Sequence, residues 1–210
     1  VFTGLEMERM TSPAGPGEGR VQRRSDGKAP TRIAWLQCIG SRDQVNSYCS
    51  SICCMYATKE AILAKQRLGP EVRCSVFIMD ERAFNKEYHT YFDRARQKHG
   101  IAYHRCRVSG IHEDPRRHDL LLDFVDEAGR RRQERFEMVV LAIGMQPPAS
   151  ARQLAALLGI ELNGFGFCKT DKFTPLQTTR PGVFVCGAFS SPKEIAETIL
   201  DASGAAAEVM

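Results

Sequence analysis

The sequence predicts an α/β fold in which helices cover parallel strands, followed by a β-meander and a last strand. Three observations predict it. Apolar, β-branched runs recur at TRIAWLQC (31–38), RCSVFIMD (73–80) and MVVLAI (138–143). Stretches with helical character separate the first two and follow the second. The segment DLLLDFVDEAGRRRQERFEM then reads as a strand, a turn at Glu127–Gly129 and a second strand.

In chain order, residues 11–30 are rich in Pro, Gly, Ser and charge and read as a linker. The strand 31–38 leads into a polar loop, IGSRDQVNSY. A helix is expected from about Ser50 to Gln66, with Gly69-Pro70 closing it. The second strand, 73–80, precedes a charged helix from about Lys86 to Lys98, ended by Gly100. IAYHRCRVSGIHED reads as one bent strand. Residues 151–159 are expected as a helix, GVFVCGA as a short buried strand, and 192–209 as a closing helix. No internal repeat is present, and the chain reads as a piece of a longer one that lacks an N-terminal portion.

The net charge of +4, from 29 basic and 25 acidic residues, is too small for a nucleic-acid footprint. No apolar run approaches the roughly 18 residues of a membrane helix. VFTGLEMERM lacks the pattern of a signal peptide. A soluble cytoplasmic protein is the expectation.

Eight cysteines are many for such a protein, and in a reducing compartment grouped cysteines bind metal or do redox work. Cys74, Cys106, Cys168 and Cys186 are scattered and read as small core residues. Cys38, Cys49, Cys53 and Cys54 share one short stretch. Cys38 ends the first strand, and Cys49 and Cys53 are four apart on one expected helix face. A four-iron cluster needs four thiolates, and the N–H groups of a helix start favour its negative charge. Zinc, a disulfide or plain burial remain the alternatives. A dinucleotide-binding unit would place G-x-G-x-x-G after this strand, where the chain reads C-I-G-S-R-D with the single Gly40. Asp80, where a ribose-binding acid would stand, therefore reads as a solvated or helix-starting residue, and no tight NAD(P) binding is expected.

LQCIGSRDQVNSYCSSICCMYATKEAI resembles the QCxGSRD…YCSxxCCMYAxKxA signature of the heterodisulfide reductase A-subunit (HdrA) family. The resemblance runs on through MDERAFNKEYHTYFDRARQKHGI, VVLAIGMQPP and GFCKTDKFTPLQTTRPGVFVCGAFSSPKEIAETILDASGAAA, and so covers nearly the whole chain from Gly4. It implies a Rossmann-like three-layer domain of the pyridine-nucleotide-disulfide-oxidoreductase type, inserted into an FAD-binding domain. Residues 1–30 would be a linker and a fragment of the FAD domain, 31–146 the inserted domain, and 147–210 the C-terminal part of the FAD domain. It also implies a [4Fe-4S] cluster on Cys38, Cys49, Cys53 and Cys54, close to FAD.

The same resemblance assigns Gly187 to a close approach of backbone to the flavin, with Ala188 standing where an acid is usual. The start of the last helix, with Pro192, Lys193 and Ile195, would point at the flavin ring. Ser191 would cap that helix, Pro192 would open it, and Glu194 would complete a capping box. The helix dipole would favour negative charge on reduced flavin. Gly144 would mark the crossover out of the inserted domain. Lys59 is the catalytic candidate, a cation between cluster and flavin; Arg42 and Asp43 would pair or cap in the cysteine loop.

The implied function is electron transfer between FAD and cluster in an oxidoreductase complex, with bifurcation left open. Partner subunits of a heterodisulfide-reductase-like complex, a hydrogenase and a formate dehydrogenase are implied, and a homodimer is left open. A scaffold with structural or zinc-binding cysteines is the alternative. A chain lacking the first G-x-G-x-x-G of an FAD domain is expected to retain flavin substoichiometrically.

Overall fold

The computed structural model describes residues 1–210. They form two compact units: Val1–Ile39 with Cys53–Ile143, and Gly40–Ile52 with Gly144–Met210.

The first unit contains β1 (Phe2–Thr3), α1 (Gly4–Thr11), β2 (Arg32–Ile39), α2 (Cys53–Leu68), β3 (Arg73–Ile78), α3 (Tyr88–Gln97), β4 (Ala102–Arg105), β5 (Val108–Glu113), β6 (Leu120–Val125), β7 (Arg131–Phe136) and β8 (Met138–Ile143). Its main sheet has the order β1-β8-β2-β3-β4, and every neighbouring pair is parallel. β5, β6 and β7 form a separate antiparallel sheet. The expected α/β fold with a meander is therefore present.

Alternation along β2 shows how the layers meet. Trp35 faces α2, where its indole N–H donates to Glu60 Oε2 at 2.9 Å. Ala34 and Leu36 face the other way and pack with Phe77 and Val139 against Leu120, Leu122, Phe124 and Phe136 of the meander. Leu122 and Phe136 are fully buried there. Helices thus cover one face of the parallel sheet and the meander covers the other.

Several expected boundaries move. The bent strand after Ile101 divides between two sheets, as β4 and β5. Helix α2 starts at Cys53, not Ser50, because Ser51 holds a left-handed φ of 62° that a helix cannot include. The first thirty residues, expected as a linker and a fragment of the FAD domain, belong to this unit. β1 pairs with β8, and Thr3 caps α1 through a reciprocal box with Glu6. The stretch from Ser12 to the start of β2 has no regular element, as its composition predicts.

The second unit contains α4 (Ala151–Leu158), a short 3₁₀ turn at Gly187–Phe189 and α5 (Ile195–Val209). Ala155, Ile160, Cys168 and Val185 form its small core. The strand expected at GVFVCGA does not form; a single bridge between Gln177 and Phe184 is all the pairing this run finds. The closing helix starts at Ile195, not Pro192. Its cap is Glu194, extended, whose N–H donates to Glu197 Oε2 at 3.0 Å, so Ser191 is not the cap. No residue of α5 is buried, and Ile195 and Ile199 are exposed.

No helix is long and apolar enough to cross a membrane.

Candidate functional site

Three of the four grouped cysteines belong to the first unit. Cys38 lies near the end of β2, and Cys53 and Cys54 are the first two residues of α2. All three are buried. Cys38 has a φ of 60°, a left-handed conformation that costs a non-glycine residue about 1–2 kcal/mol. It coincides with a register irregularity between Leu36 and Ile39 in the β2–β8 pairing. The strand is thereby kinked at the residue bearing the thiol. The Cys53 thiol donates to the Ile143 carbonyl at 3.7 Å, and the Tyr56 hydroxyl donates to the same oxygen at 2.8 Å. Burial, with the neighbouring Cys53 as a lesser cause, pushes the Tyr56 phenol well above its ordinary range. The first turn of α2 carries no acid, so its N–H groups face no negative side chain of their own helix.

Cys49 belongs to the second unit, in the loop Gly40–Ile52. Its sulfur accepts the Ser51 N–H at 3.3 Å. The loop is built around two polar turns. Asp43 Oδ1 accepts from the N–H groups of Val45 and Asn46, at 2.9 and 2.6 Å, which gives Asp43 the expected local capping role. The Arg42 N–H donates to the Tyr48 carbonyl at 3.0 Å, with Arg42 at a φ of 56°. Tyr48 packs edge-on against Phe165 and Phe167, and its hydroxyl donates to the Met145 carbonyl at 2.8 Å. Gly144 is required here for space. A Cβ on it would stand 2.5 Å from Ser50 Oγ, which itself accepts the Met145 N–H at 2.9 Å.

No group of three or more His, Cys, Asp or Glu side chains converges as a single metal ion would require, and no cysteine is in a disulfide. A four-iron cluster asks for a different arrangement, since each thiolate binds its own iron and the sulfurs stand apart. The residues in the first unit fit that group in one observable respect. Gln37, beside Cys38 and buried, has neither amide nitrogen nor oxygen hydrogen bonded. Of the scattered cysteines, Cys74 and Cys168 are buried, Cys106 is half-buried and Cys186 is exposed, so the reading of all four as core residues fails at Cys186. Burial pushes the Cys74 thiol up to about 12.

Lys59, the catalytic candidate, bonds Glu8 of α1, Nζ to Oε1 at 2.7 Å, with its side chain 45% exposed. Its sequence neighbour Glu60 is fully buried under Trp35. Burial drives that carboxyl up to about 8, against the opposing pull of the indole hydrogen bond. Sequence reading missed Glu60, because a Lys-Glu pair on a helix reads as surface. Asp80 pairs with Arg82 at 3.4 Å and lines a cleft of about 410 Å³ with Arg96, Tyr103 and Arg105.

In the second unit, Gly187 and Lys193 meet one carboxylate. The Gly187 N–H donates to Asp201 Oδ2 at 3.1 Å, and Lys193 Nζ bonds the same oxygen. Gly187 has a φ of 70°, and a Cβ on it would stand 3.0 Å from Thr198 Cγ2. Two donors converging on one anionic oxygen make a place suited to a polar, negatively charged group, which is the fit that FAD would need. Ala188 and Ile195 are exposed, and Pro192 is half-buried. Asp201 carries no motif in the sequence that would have singled it out.

The pyridine nucleotide-disulphide oxidoreductase family matches residues 57–206, most of the chain. The chain belongs to this family. The matched segment of the pyridine nucleotide-disulphide oxidoreductase contains Gly144, Gly187 and Lys193, whereas the four grouped cysteines precede it. Along its whole length the chain is similar to the second iron-sulfur A subunit of CoB–CoM heterodisulfide reductase from Methanopyrus kandleri, at 40% identity over 99% of this chain and 32% of that protein. It is 40% identical, over 100% of itself and 32% of the relative, to the A subunit of the H2/formate:CoB-CoM heterodisulfide,ferredoxin reductase of Methanococcus maripaludis. The chain thus spans about a third of the length of these curated relatives, and the resemblance carried by its cysteine signature is borne out. Two solved structures share its fold. They are LpdA of Mycobacterium tuberculosis, with a TM-score of 0.54 at 13% identity over 86% of this chain and 34% of that one, and the bacillithiol disulfide reductase of Bacillus cereus, with 0.51 at 12% identity over 86% and 49%.

Proposed function

We propose that the chain is the electron-transfer segment of a heterodisulfide-reductase-type A subunit, carrying a [4Fe-4S] cluster on Cys38, Cys49, Cys53 and Cys54 beside FAD. The observation that carries this reading is the position of the thiols. Cys38 is the last residue but one of β2 and Cys53 and Cys54 open α2, where a dinucleotide-binding unit keeps its phosphate loop.

When bound, the cluster supplies single-electron exchange and the flavin supplies exchange of electron pairs. The chain's residues do the rest. The N–H groups of the first turn of α2 stabilise negative charge next to Cys53 and Cys54. Burial of Cys38, Cys53 and Cys54 keeps water from their sulfurs. Gly187 and Lys193, which bond the Asp201 carboxylate, are the residues that would hold an anionic part of the flavin, and the exposed start of α5, with Pro192 and Ile195, would help hold its ring. Ala188 leaves this loop without the usual acid. Lys59 supplies a cation on α2, about 1.7 turns beyond Cys53, once it leaves Glu8. Within a complete cytoplasmic protein, the chain works with partner subunits that bring electrons from hydrogen or formate and pass them to a disulfide substrate.

Anaerobic purification with iron, sulfide and flavin analysis tests this directly. About four irons and four sulfides per chain are expected, with flavin substoichiometric, and Cys54→Ser loses the iron. Colourless, zinc-loaded protein contradicts the reading and favours the scaffold alternative.

A further inference from the structure

Gln37 is the least explained polar residue in the first unit. It stands in the central strand of the sheet, only 9% exposed, and neither its Nε2 nor its Oε1 has a hydrogen-bond partner. A buried polar group left unbonded costs about 1–3 kcal/mol. An apolar side chain of the same length avoids that cost.

The direction of the side chain follows from the strand's period of two. Trp35 faces α2, as its bond to Glu60 shows, while Leu36 packs on the meander side. Gln37 therefore shares the face of Trp35. Strands β2 and β3 are parallel, so α2 runs back antiparallel between them. From Trp35 to Gln37 the strand advances toward its C-terminal end. From Glu60 back to Cys54 and Cys53 the helix recedes to its first turn, at that same end. The amide thus lies on the α2 face of the sheet, beyond the Trp35–Glu60 contact and adjacent in sequence to Cys38.

We propose that the Gln37 side-chain amide donates a hydrogen bond to a sulfur of the cluster that Cys38, Cys53 and Cys54 help hold, and so raises the cluster's reduction potential. The inference rests on the cluster reading above. Sulfur accepts hydrogen bonds, and reduction adds negative charge, so a donated N–H strengthens on reduction and favours the reduced state. Gln37 is a tuning residue and takes no part in electron transfer itself.

The test compares Gln37→Met and Gln37→Glu with the wild-type chain in two states. In the iron-free chain, Gln37→Met is expected to raise the melting temperature, because it removes two unbonded polar atoms. In the cluster-loaded chain the same variant is expected to lower the one-electron reduction equilibrium by about tenfold, which is about 59 mV. Gln37→Glu, which adds a negative charge in place of the donor, lowers it further. A folded variant that no longer retains iron also supports the contact. An unchanged potential at wild-type iron content overturns the inference while leaving the cluster intact. So does an iron-free Gln37→Met chain that melts lower, since the amide then has a structural partner. A wild-type chain without iron and sulfide overturns the cluster reading itself, and this inference with it.

Discussion

The two units keep their shape by different means. In the first, the meander closes over the sheet and seals Leu122, Phe136, Val139 and Ala34 completely. In the second, the core is four residues, and α5 turns Ile195, Ile199 and Leu200 outward at 80%, 60% and 72% exposure. Hydrogen bonds and one ion pair, Asp201 with Gly187 and Lys193, hold its glycine loop. The difference teaches where each kind of residue belongs. In the first unit Cys38 holds its left-handed conformation inside a packed sheet, and in the second Arg42 and Ser51 hold theirs in a loop tied by hydrogen bonds. The second unit presents polar and apolar groups that its own fold does not use.

Truncation of a core side chain gives the largest expected contrast. Leu122→Ala should cost about 2–5 kcal/mol in denaturant unfolding, whereas Leu200→Ala on α5 should stay within about 0.5 kcal/mol. Equal costs would erase the distinction.

Glu60 gives the next effect, through pH. Its folded pKa is raised to about 8 from an ordinary 4.5, with burial the main cause. Between these values the folded chain keeps a proton that the unfolded chain releases. Stability therefore falls as pH rises through that window and levels off above about 8, a loss of up to a few kcal/mol. The charged and titratable groups facing Glu60 are Glu8 on α1 and Lys59 and Tyr56 on α2. Glu60→Gln should flatten this dependence. Trp35, the single tryptophan, bonds the carboxyl directly, so its fluorescence should titrate near pH 8 in the wild type and not in the variant.

The smallest effect belongs to the second unit's latch. Asp201→Ala removes the acceptor shared by Gly187 and Lys193, both largely buried, and should cost about 1 kcal/mol. Hydrogen exchange should speed up at the Gly187 amide and stay unchanged in β2. Unaltered exchange at Gly187 would show that Asp201 does not hold the loop.

The first unit was the more legible of the two in the sequence. Its strands are continuous apolar runs, and burial on both faces makes such runs unmistakable at Ile33–Leu36 and at Val139, Val140 and Ala142. What escaped reading was set by contacts rather than by pattern. β1 is two residues long and exists only through β8, although Thr3 and Glu6 spell out the capping box that starts α1. The start of α2 depends on the left-handed Ser51, which the apolar pattern does not encode. GVFVCGA has the composition of a strand but finds only one bridge, so propensity alone misleads there. The cysteine spacing, the glycine at 187 and Lys193 were legible as candidates. Glu60, Gln37 and Asp201 became visible only when burial and partners were known.

The central claim is that Cys38, Cys49, Cys53 and Cys54 together hold one cluster. Its most direct measurement is a Mössbauer spectrum of the anaerobically reconstituted chain beside its four single Cys→Ser variants. The account predicts one cubane cluster per wild-type chain and loss of that signal in each of the four variants. Iron bound equally by the wild type and by all four variants would contradict it.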